Sequence, residues 1–113
     1  MILIAGTVDV DPDRRADALE AGKPHMVATR AQKGCVAYVW SPDPLIEGRI
    51  VVYEHWETQE DLAIHLAGEH YINMRNTIAS FGLSAADVSK FRIDHQEPVY
   101  DSTGTPRADF FTG

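Results

Sequence analysis

The order in which strand-like and helix-like segments follow one another constrains the fold of this chain more than any other feature of its sequence. Segments rich in β-branched and aromatic residues are typical of strands, and apolar residues spaced three to four positions apart are typical of helices. We predict strands at 2–10, 35–40, 49–56 and 88–95, and helices at 12–32, 58–67 and 70–81. This β-α-β-β-α-(α)-β order predicts an α+β fold of the ferredoxin-like, split βαβ type, with a four-stranded antiparallel sheet and helices on one face.

The first helix carries signals for its start, its end and an internal break. Asp11 is placed to cap the helix, and Pro12 suits the first helical position because no backbone N–H is needed there. Pro24 removes a backbone donor inside the helix, so we expect a kink or a restart near Lys23. Gly34 is expected to end the segment.

Several predicted strands are apolar on both of their faces. Helices on one side of the sheet can cover only one of these faces, and the chain has no spare elements for the other. A second copy of the same sheet is the simplest cover, so we predict a homodimer that packs sheet to sheet into an α+β barrel. The residues that cannot all face one core are Ile2, Ile4, Val36, Tyr38, Trp40, Val51, Val52 and Tyr53.

The composition excludes several classes of function. The 113 residues carry 17 Asp and Glu against 10 Lys and Arg, a net charge of −7, whereas nucleic-acid binders present a basic surface. No apolar run approaches the roughly 18 residues of a membrane span, and the N-terminus lacks the basic leader of a signal peptide. The single cysteine, Cys35, is expected to pack as a small buried hydrophobe. We therefore expect a cytoplasmic protein that binds neither nucleic acid nor membranes.

The chain divides into one domain, residues 1–97, and a C-terminal tail, residues 98–113. The tail is rich in turn-forming residues and contains the aromatic pair Phe110 and Phe111 near its end. We predict that it packs across the dimer with these two side chains as anchors. The alternative is a frayed polar terminus.

Three short motifs, in this order, resemble those of the antibiotic biosynthesis monooxygenase (ABM) family. The second strand begins with a Gly-Cys-x-x-Tyr pattern at 34–38, and the third ends with Glu-x-Trp at 54–56. The helix break at 65–70 has the pattern His-Leu-x-x-x-His. The resemblance extends over residues 1–95 and implies a dimeric ferredoxin-like α+β barrel with a pocket between the helices and the sheet.

Members of the family catalyse different reactions, so the resemblance constrains the fold more than the activity. They include cofactor-independent oxygenases of quinols and polycyclic phenols, haem-degrading enzymes and a sugar-phosphate isomerase. For this chain the resemblance implies a cofactor-independent monooxygenase that oxidises a small aromatic phenol or quinol with dioxygen. Two alternatives stay open: a non-catalytic dimer that binds a small ligand, and a non-redox isomerase. No Gly-x-Gly-x-x-Gly motif is present, in agreement with a reaction that uses no dinucleotide.

Histidines are the candidates for proton transfer, because imidazole exchanges a proton near neutral pH. His65 and His70 are the predicted catalytic bases, and His25, at the edge of the apolar stripe of the first helix, is predicted to position the substrate. In the fold that the resemblance implies, the helices line one cavity, so these three histidines are expected to surround one ligand. The alternative for each is a partly buried structural histidine at a helix flank.

Aromatic and basic side chains are the candidates for substrate binding. Tyr71 is predicted to position the substrate, and Tyr53 or Trp56 to stack on its ring, with core packing as the alternative for the large aromatics. Arg75 shares a helical face with Tyr71. It is expected either to form an ion pair with Glu54 or to bind an anion.

The spacing of the potential ligands predicts no metal site, although the chain has five histidines. No two of them have the His-Glu-x-x-His spacing, and His65 and His70 lie on opposite sides of Gly68. Haem is also disfavoured. The positions that resemble the Trp and His of the haem-degrading branch hold His65 and Arg75, and the first strand has no Asn.

Overall fold

The strands and helices of the protein follow the predicted order. A computed structural model describes residues 1–113, and it confirms the ferredoxin-like α+β fold. The strands are β1 (Ile2–Asp9), β2 (Cys35–Pro42), β3 (Arg49–Trp56) and β4 (Ala85–Arg92). The helices are α1 (Arg15–Arg30), α2 (Gln59–Ala67) and α3 (Glu69–Ala79). None of the three helices has the length and apolar character needed to cross a membrane.

One four-stranded sheet, in the order β2-β3-β1-β4, forms the framework of the fold, and each neighbouring pair is antiparallel. Side chains alternate between the two faces of a strand, so every second residue of β1 and β3 faces the helices. These helix-facing residues form the core with Ala18 of α1, Leu62 of α2, and Met74 and Ile78 of α3. The helices therefore cover one face of the sheet.

Helix α1 starts as predicted but passes through its proline. The Asp11 carboxylate accepts a hydrogen bond from the backbone N–H of Asp13, 3.0 Å away, and a short 3-10 turn with Pro12 at its start leads into α1. The predicted restart near Lys23 is wrong, because the helix runs without interruption through Pro24. The alternative, a kink at this point, stays a prediction. Pro24 is exposed, so water can hydrate the carbonyl that loses its N–H donor.

The last strand lies three residues earlier in the chain than the sequence predicts, at Ala85–Arg92 instead of 88–95. The reason is its pairing with β1. Asp9 lies opposite Ala85 and Ile2 lies opposite Arg92, so the length of β1 sets both ends of β4. The alternation of apolar and polar residues continues beyond Arg92, but β1 has no further residues of its strand to pair with them.

The second face of the sheet is apolar and uncovered in a single chain. Of the apolar residues that cannot share one core, Ile2, Ile4, Tyr38, Trp40 and Val52 pack on the helix side. The remaining three are exposed, and Tyr53 exposes 41% of its surface. The exposed apolar residues of this second face include Val39, Val51, Tyr53 and Phe91.

The C-terminal tail is folded onto itself. Desolvation acts to raise the pKa of Glu97, but hydrogen bonds to its carboxylate outweigh this effect and lower the pKa to about 2. The donors are His95 and the backbone amides of Phe111 and Thr112. The backbone of Phe111 is thereby held against Glu97 at the end of the domain, whereas Phe110 exposes 73% of its surface. That the tail packs across a dimer stays a prediction.

Candidate functional site

A cavity of about 540 Å³ lies between the sheet and helices α2 and α3. Twelve of its sixteen lining residues are hydrophobic, from Ile4 and Val8 of β1 to Met74 and Ile78 of α3. Strand β4 forms one side and is exposed along its whole length in the single chain. The cavity can therefore hold an apolar or aromatic molecule of small size. Its four other lining residues are Glu54, Arg75, Ser89 and Lys90.

Glu54 is the acidic group of this cavity. It lies on the helix-facing side of β3, exposes 7% of its surface, and its Oε1 accepts a hydrogen bond from Nε1–H of Trp56 at 3.0 Å. Burial raises the pKa of the Glu54 carboxyl, and the hydrogen bond from Trp56 opposes this only in part. A carboxyl of this kind can hold or release a proton closer to neutral pH than an exposed one.

An aromatic cluster around His65 supports one wall of the cavity. The His65 ring stacks on Trp56 with centroids 4.6 Å apart, and it contacts the edges of Tyr38 and Tyr71 at 5.8 and 5.9 Å. Its Nδ1 lies 2.7 Å from Oε1 of Gln32, so Nδ1–H donates and Nε2 keeps its lone pair. Burial and the nearby His70 lower the pKa of His65 to about 4, so the ring is neutral at neutral pH.

None of the three histidines chosen from the sequence lines the cavity. His65 lies behind Tyr38 and Tyr71, which do line it. His70 is half-buried at the start of α3, and His25 of α1 is bound to Thr77, with Nε2 3.2 Å from Oγ1. The structure therefore brings His65 and His70 near each other but gives His25 a structural partner between two helices.

Of the four aromatic and basic residues predicted to bind the substrate, two line the cavity and two do not. Tyr71 and Arg75 are in the wall, with the Arg75 guanidinium 5.6 Å from the centre of the Tyr71 ring. Trp56 is fully buried in the core behind Glu54, and Tyr53 lies on the opposite face of the sheet. Trp56 therefore has the core position of the alternative interpretation, whereas Tyr53 exposes 41% of its surface and packs in no core within the single chain.

The expected ion pair between Arg75 and Glu54 does not form. The Glu54 carboxylate is buried on the sheet and held by Trp56, whereas Arg75 is an exposed residue of α3. A long arginine side chain keeps its charged end in water while its stem covers apolar surface. Arg75 therefore provides positive charge at the cavity without cancelling the charge of Glu54.

Sequence reasoning missed Lys90 and Tyr38 as cavity residues. The sequence predicts that Lys90 belongs to a strand, but its place opposite Ile4 depends on the pairing of β4 with β1. Tyr38 is part of the Gly-Cys-x-x-Tyr pattern, and it lies opposite Glu54. Burial, and secondarily the charge of Glu54, raise the pKa of the Tyr38 hydroxyl, which stays protonated.

The potential metal ligands are dispersed over the fold, and the thiol is half-buried. No three His, Cys, Asp or Glu side chains come together in a group that could hold a metal ion. Cys35 is half-buried and packs against the core cluster of Trp56 and Leu62. Burial raises the pKa of its thiol, and so does the nearby charge of Glu54, which makes the thiolate scarce at neutral pH.

The buried neutral ring of His65 predicts a loss of stability in acid. The folded protein holds this pKa at about 4 against an ordinary value of 6.5, so the stabilisation is complete above pH 6.5 and is lost as the pH falls to 4. We expect the free energy of unfolding from urea titrations to fall by about 2 kcal/mol over this interval.

His65→Phe keeps a ring against Trp56 and removes the titration, so it should flatten this pH dependence while lowering stability at pH 7 through loss of the Gln32 hydrogen bond. His25→Gln is the matched control, since His25 lies outside the stacked cluster. An unchanged slope in His65→Phe would contradict the assignment.

A known protein family matches more than half of the chain. The family model described as antibiotic biosynthesis monooxygenase matches residues 1–77, which include β1, α1, β2, β3, α2 and most of α3. Among curated proteins, an uncharacterized protein of Synechocystis is 21% identical over 70 residues. That alignment covers 62% of this chain and 48% of the relative, so the chain spans about half the length of the curated relative it matches.

Solved structures share the fold. A proposed antibiotic biosynthesis monooxygenase of Deinococcus radiodurans has a TM-score of 0.79 and 19% identity, covering 89% of this chain and all of that one (100%). Another from Nitrosomonas europaea has a TM-score of 0.74 and 20% identity, with coverages of 84% and 100%. A conserved protein of Bacteroides thetaiotaomicron has a TM-score of 0.70 and 26% identity, covering 80% of this chain and 94% of that one. It is described as a protein of unknown function and an oxidoreductase candidate.

Proposed function

Because the chain belongs to the antibiotic biosynthesis monooxygenase family, we propose that it oxidises a small aromatic phenol or quinol with dioxygen and without a cofactor. The observation that carries this proposal is the cavity between sheet and helices. Its wall is mostly hydrophobic, with the rings of Tyr38, Trp40 and Tyr71, and a single carboxyl, Glu54, is buried in it. An apolar cavity of this kind admits both an aromatic ring and dioxygen, and it keeps water away from reactive intermediates.

The reaction needs few groups from the protein, because the substrate itself supplies the electrons that reduce dioxygen. A phenol is deprotonated, its anion passes an electron to dioxygen, and the two radicals combine to a peroxide that collapses to a quinone and water. The protein must provide a base, a cavity that oxygen can enter, and groups that stabilise the phenolate. Tyr71 and Arg75 line the cavity, which supports the proposal that they perform the last of these tasks.

The sequence-based choice of base, His65 or His70, stays a prediction. His65 keeps a free Nε2 lone pair and is one side chain behind the wall, in contact with Tyr71. In this position it can hold the Tyr71 ring in place. His65→Ala and His70→Ala are therefore both measured in the assay below.

The test is oxygen consumption by the purified chain with a panel of quinols and polycyclic phenols. We expect uptake that saturates with substrate and forms the quinone, and that falls at least tenfold in Leu66→Arg, which places a charged group in the cavity wall. Leu45→Arg is the matched control, because Leu45 is exposed on a loop outside the cavity.

Other outcomes favour the alternatives. Saturable binding of these aromatics without oxygen uptake by any of them would favour a non-catalytic binding dimer. Proton exchange on a carbonyl substrate in the absence of oxygen would favour the isomerase. The cytoplasmic location stays a prediction from the sequence.

We also propose that the protein is a homodimer joined through the uncovered face of the sheet. This face carries Val39, Val51, Tyr53 and Phe91, each exposing between 38% and 52% of its surface. Exposed apolar surface of this extent is unfavourable in water, and a second sheet packed face to face removes it. The same association would bring the two C-terminal tails close to the partner chains.

Replacing Tyr53 by lysine is expected to separate the dimer into monomers of 12.5 kDa, because a charge is then buried without a partner between the sheets. Sedimentation equilibrium over a range of concentrations measures the mass. Leu45→Lys, which puts the same charge on an exposed loop, should leave the dimer intact. A wild-type chain that stays monomeric at every concentration would contradict the proposed interface.

A further inference from the structure

The Glu54 carboxyl has one oxygen occupied and one free. Oε1 accepts the hydrogen bond from Trp56, whereas Oε2 accepts none from the protein, and the side chain is part of the cavity wall. Glu54 is the one acidic residue among those that line the cavity. Burying a carboxyl costs free energy unless its polar atoms have hydrogen-bond partners. A free oxygen beside an apolar cavity therefore lowers the stability of the fold, so a structural role does not explain it.

Strand pairing places Glu54 in a row with a lysine. Tyr38 lies opposite Glu54, Glu54 lies opposite Ile4, and Ile4 lies opposite Lys90, so these four residues cross the sheet side by side. All four line the cavity. Neighbouring strands are about 4.8 Å apart, which puts the backbones of Glu54 and Lys90 about 10 Å apart, with Ile4 between them. A phenol ring lying over Ile4 can therefore present its oxygen between the carboxylate and the ammonium group.

Lys90 is available for this role because it forms no ion pair within the chain. Its distance from Glu54 along the row leaves room for a ligand oxygen between the two charges. A positive charge at this place lowers the energy of a phenolate relative to the neutral phenol.

We propose that Glu54 is the group that takes the phenolic proton, and that Lys90 stabilises the phenolate which this leaves in the cavity. This inference rests on the proposed monooxygenase function and assigns the base to β3 in place of the histidines on α2 and α3. The remaining groups that face Glu54 are Tyr38 and Cys35 on β2, Tyr71 and Arg75 on α3, and His65 of α2 behind Trp56.

The reaction balances with dioxygen as the oxidant. The phenolic O–H bond breaks, its proton moves to Oε2 of Glu54, and the electron pair stays on the phenolate. One electron passes to dioxygen, and the phenoxyl radical and superoxide combine through a new C–O bond. The O–O bond then breaks to leave a quinone, and the second oxygen departs as water with the proton from Glu54 and the hydrogen of the attacked ring carbon.

The carboxylate is the active form, so activity should rise with pH as Glu54 ionises. Because burial raises the pKa of this carboxyl, the rise is expected above the range of an ordinary glutamate. The acidic limb of the profile is therefore assigned to Glu54.

The test is Glu54→Gln, which keeps the shape of the side chain and an oxygen to accept the Trp56 N–H but cannot take a proton. With phenols that are un-ionised at the assay pH, we expect kcat to fall by about 100-fold or more, KM to change by less than about threefold, and the acidic limb of the pH profile to disappear. With phenols acidic enough to be ionised before binding, the variant should approach the wild-type rate. Glu57→Gln, an exposed glutamate next to the same strand, is the matched control.

A second measurement separates this proposal from the proposed function. A nitrophenol absorbs at different wavelengths as phenol and as phenolate, so its spectrum in the bound state reports deprotonation without any turnover. Bound to the wild-type chain below its own pKa, the probe should show the phenolate band, and bound to Glu54→Gln it should not. Lys90→Gln should weaken the band while leaving the chain folded.

The outcomes are distinguishable. Absence of oxygen uptake by the wild-type chain with every phenol contradicts the monooxygenase, whereas the nitrophenol spectra still test Glu54. A Glu54→Gln variant that keeps the wild-type kcat with un-ionised phenols, or that ionises the bound nitrophenol equally well, overturns the role of Glu54.

Discussion

Replacing Trp56 by alanine is expected to lower the free energy of unfolding by about 4 kcal/mol. The Trp56 side chain is fully buried, where it packs against Ile2, Ile4 and Leu62 and stacks on His65. Its removal leaves a cavity and breaks these contacts, and the Glu54 carboxylate loses its hydrogen-bond donor. A domain of this size has a total stability of only about 5–15 kcal/mol, so much of the chain should be unfolded at modest urea concentration.

Urea titration followed by circular dichroism measures this loss, and Trp56→Phe separates its two parts. The phenylalanine keeps most of the buried apolar surface and the stack on His65 but cannot donate to Glu54, so a smaller loss of about 1–2 kcal/mol is expected. If Trp56→Ala cost less than about 1 kcal/mol, the core between β3, β1 and α2 would not be organised around this ring.

Replacing Gly6 by alanine is expected to destabilise the fold by about 3 kcal/mol and to weaken the attachment of β4. A Cβ atom at Gly6 would lie 2.1 Å from the carbonyl oxygen of Asp87 and 2.6 Å from Cα of Val88, both in the backbone of β4. Backbone atoms of a paired strand cannot move aside as the end of a flexible side chain can. Strand β4 must therefore shift away from β1, and this opens the side of the cavity that Val88 and Lys90 form.

Amide hydrogen exchange reports this local effect, since the amides of β4 should lose protection before those of β3. Gly104→Ala is the matched control. Its Cβ would meet no atom within 4 Å, and only the positive φ of 79° makes it unfavourable, at a cost of about 1 kcal/mol. Equal effects of the two substitutions would show that contact with β4 is not what requires glycine at position 6.

The fold could be predicted because its signals are local. Strand β3 has the predicted bounds, Arg49–Trp56, and Thr58 caps α2 as its sequence indicates, with Oγ1 accepting from the N–H of Asp61. The bounds of the last strand were predicted wrongly because a distant segment decides them. Pairing with β1 moves β4 by three residues.

The candidate site was predicted less well, for a related reason. The helical pattern indicates that Tyr71 and Arg75 share a face, and both line the cavity. It also makes His65 a candidate, but only the packing shows this ring stacked on Trp56 behind the wall. The sequence predicts Glu54 only as the partner of an arginine, because nothing in its neighbourhood along the chain indicates that it is buried beside an apolar cavity.

The sequence by itself determined the order of strands and helices, the apolar character of both faces of the sheet and the family resemblance. Each of these depends on residue types a few positions apart, whose conformational preferences act within one element. Only the tertiary structure decided which polar groups meet in the cavity. The row of Tyr38, Glu54, Ile4 and Lys90 joins four strands, and its register is set by backbone hydrogen bonds between segments that are far apart along the chain.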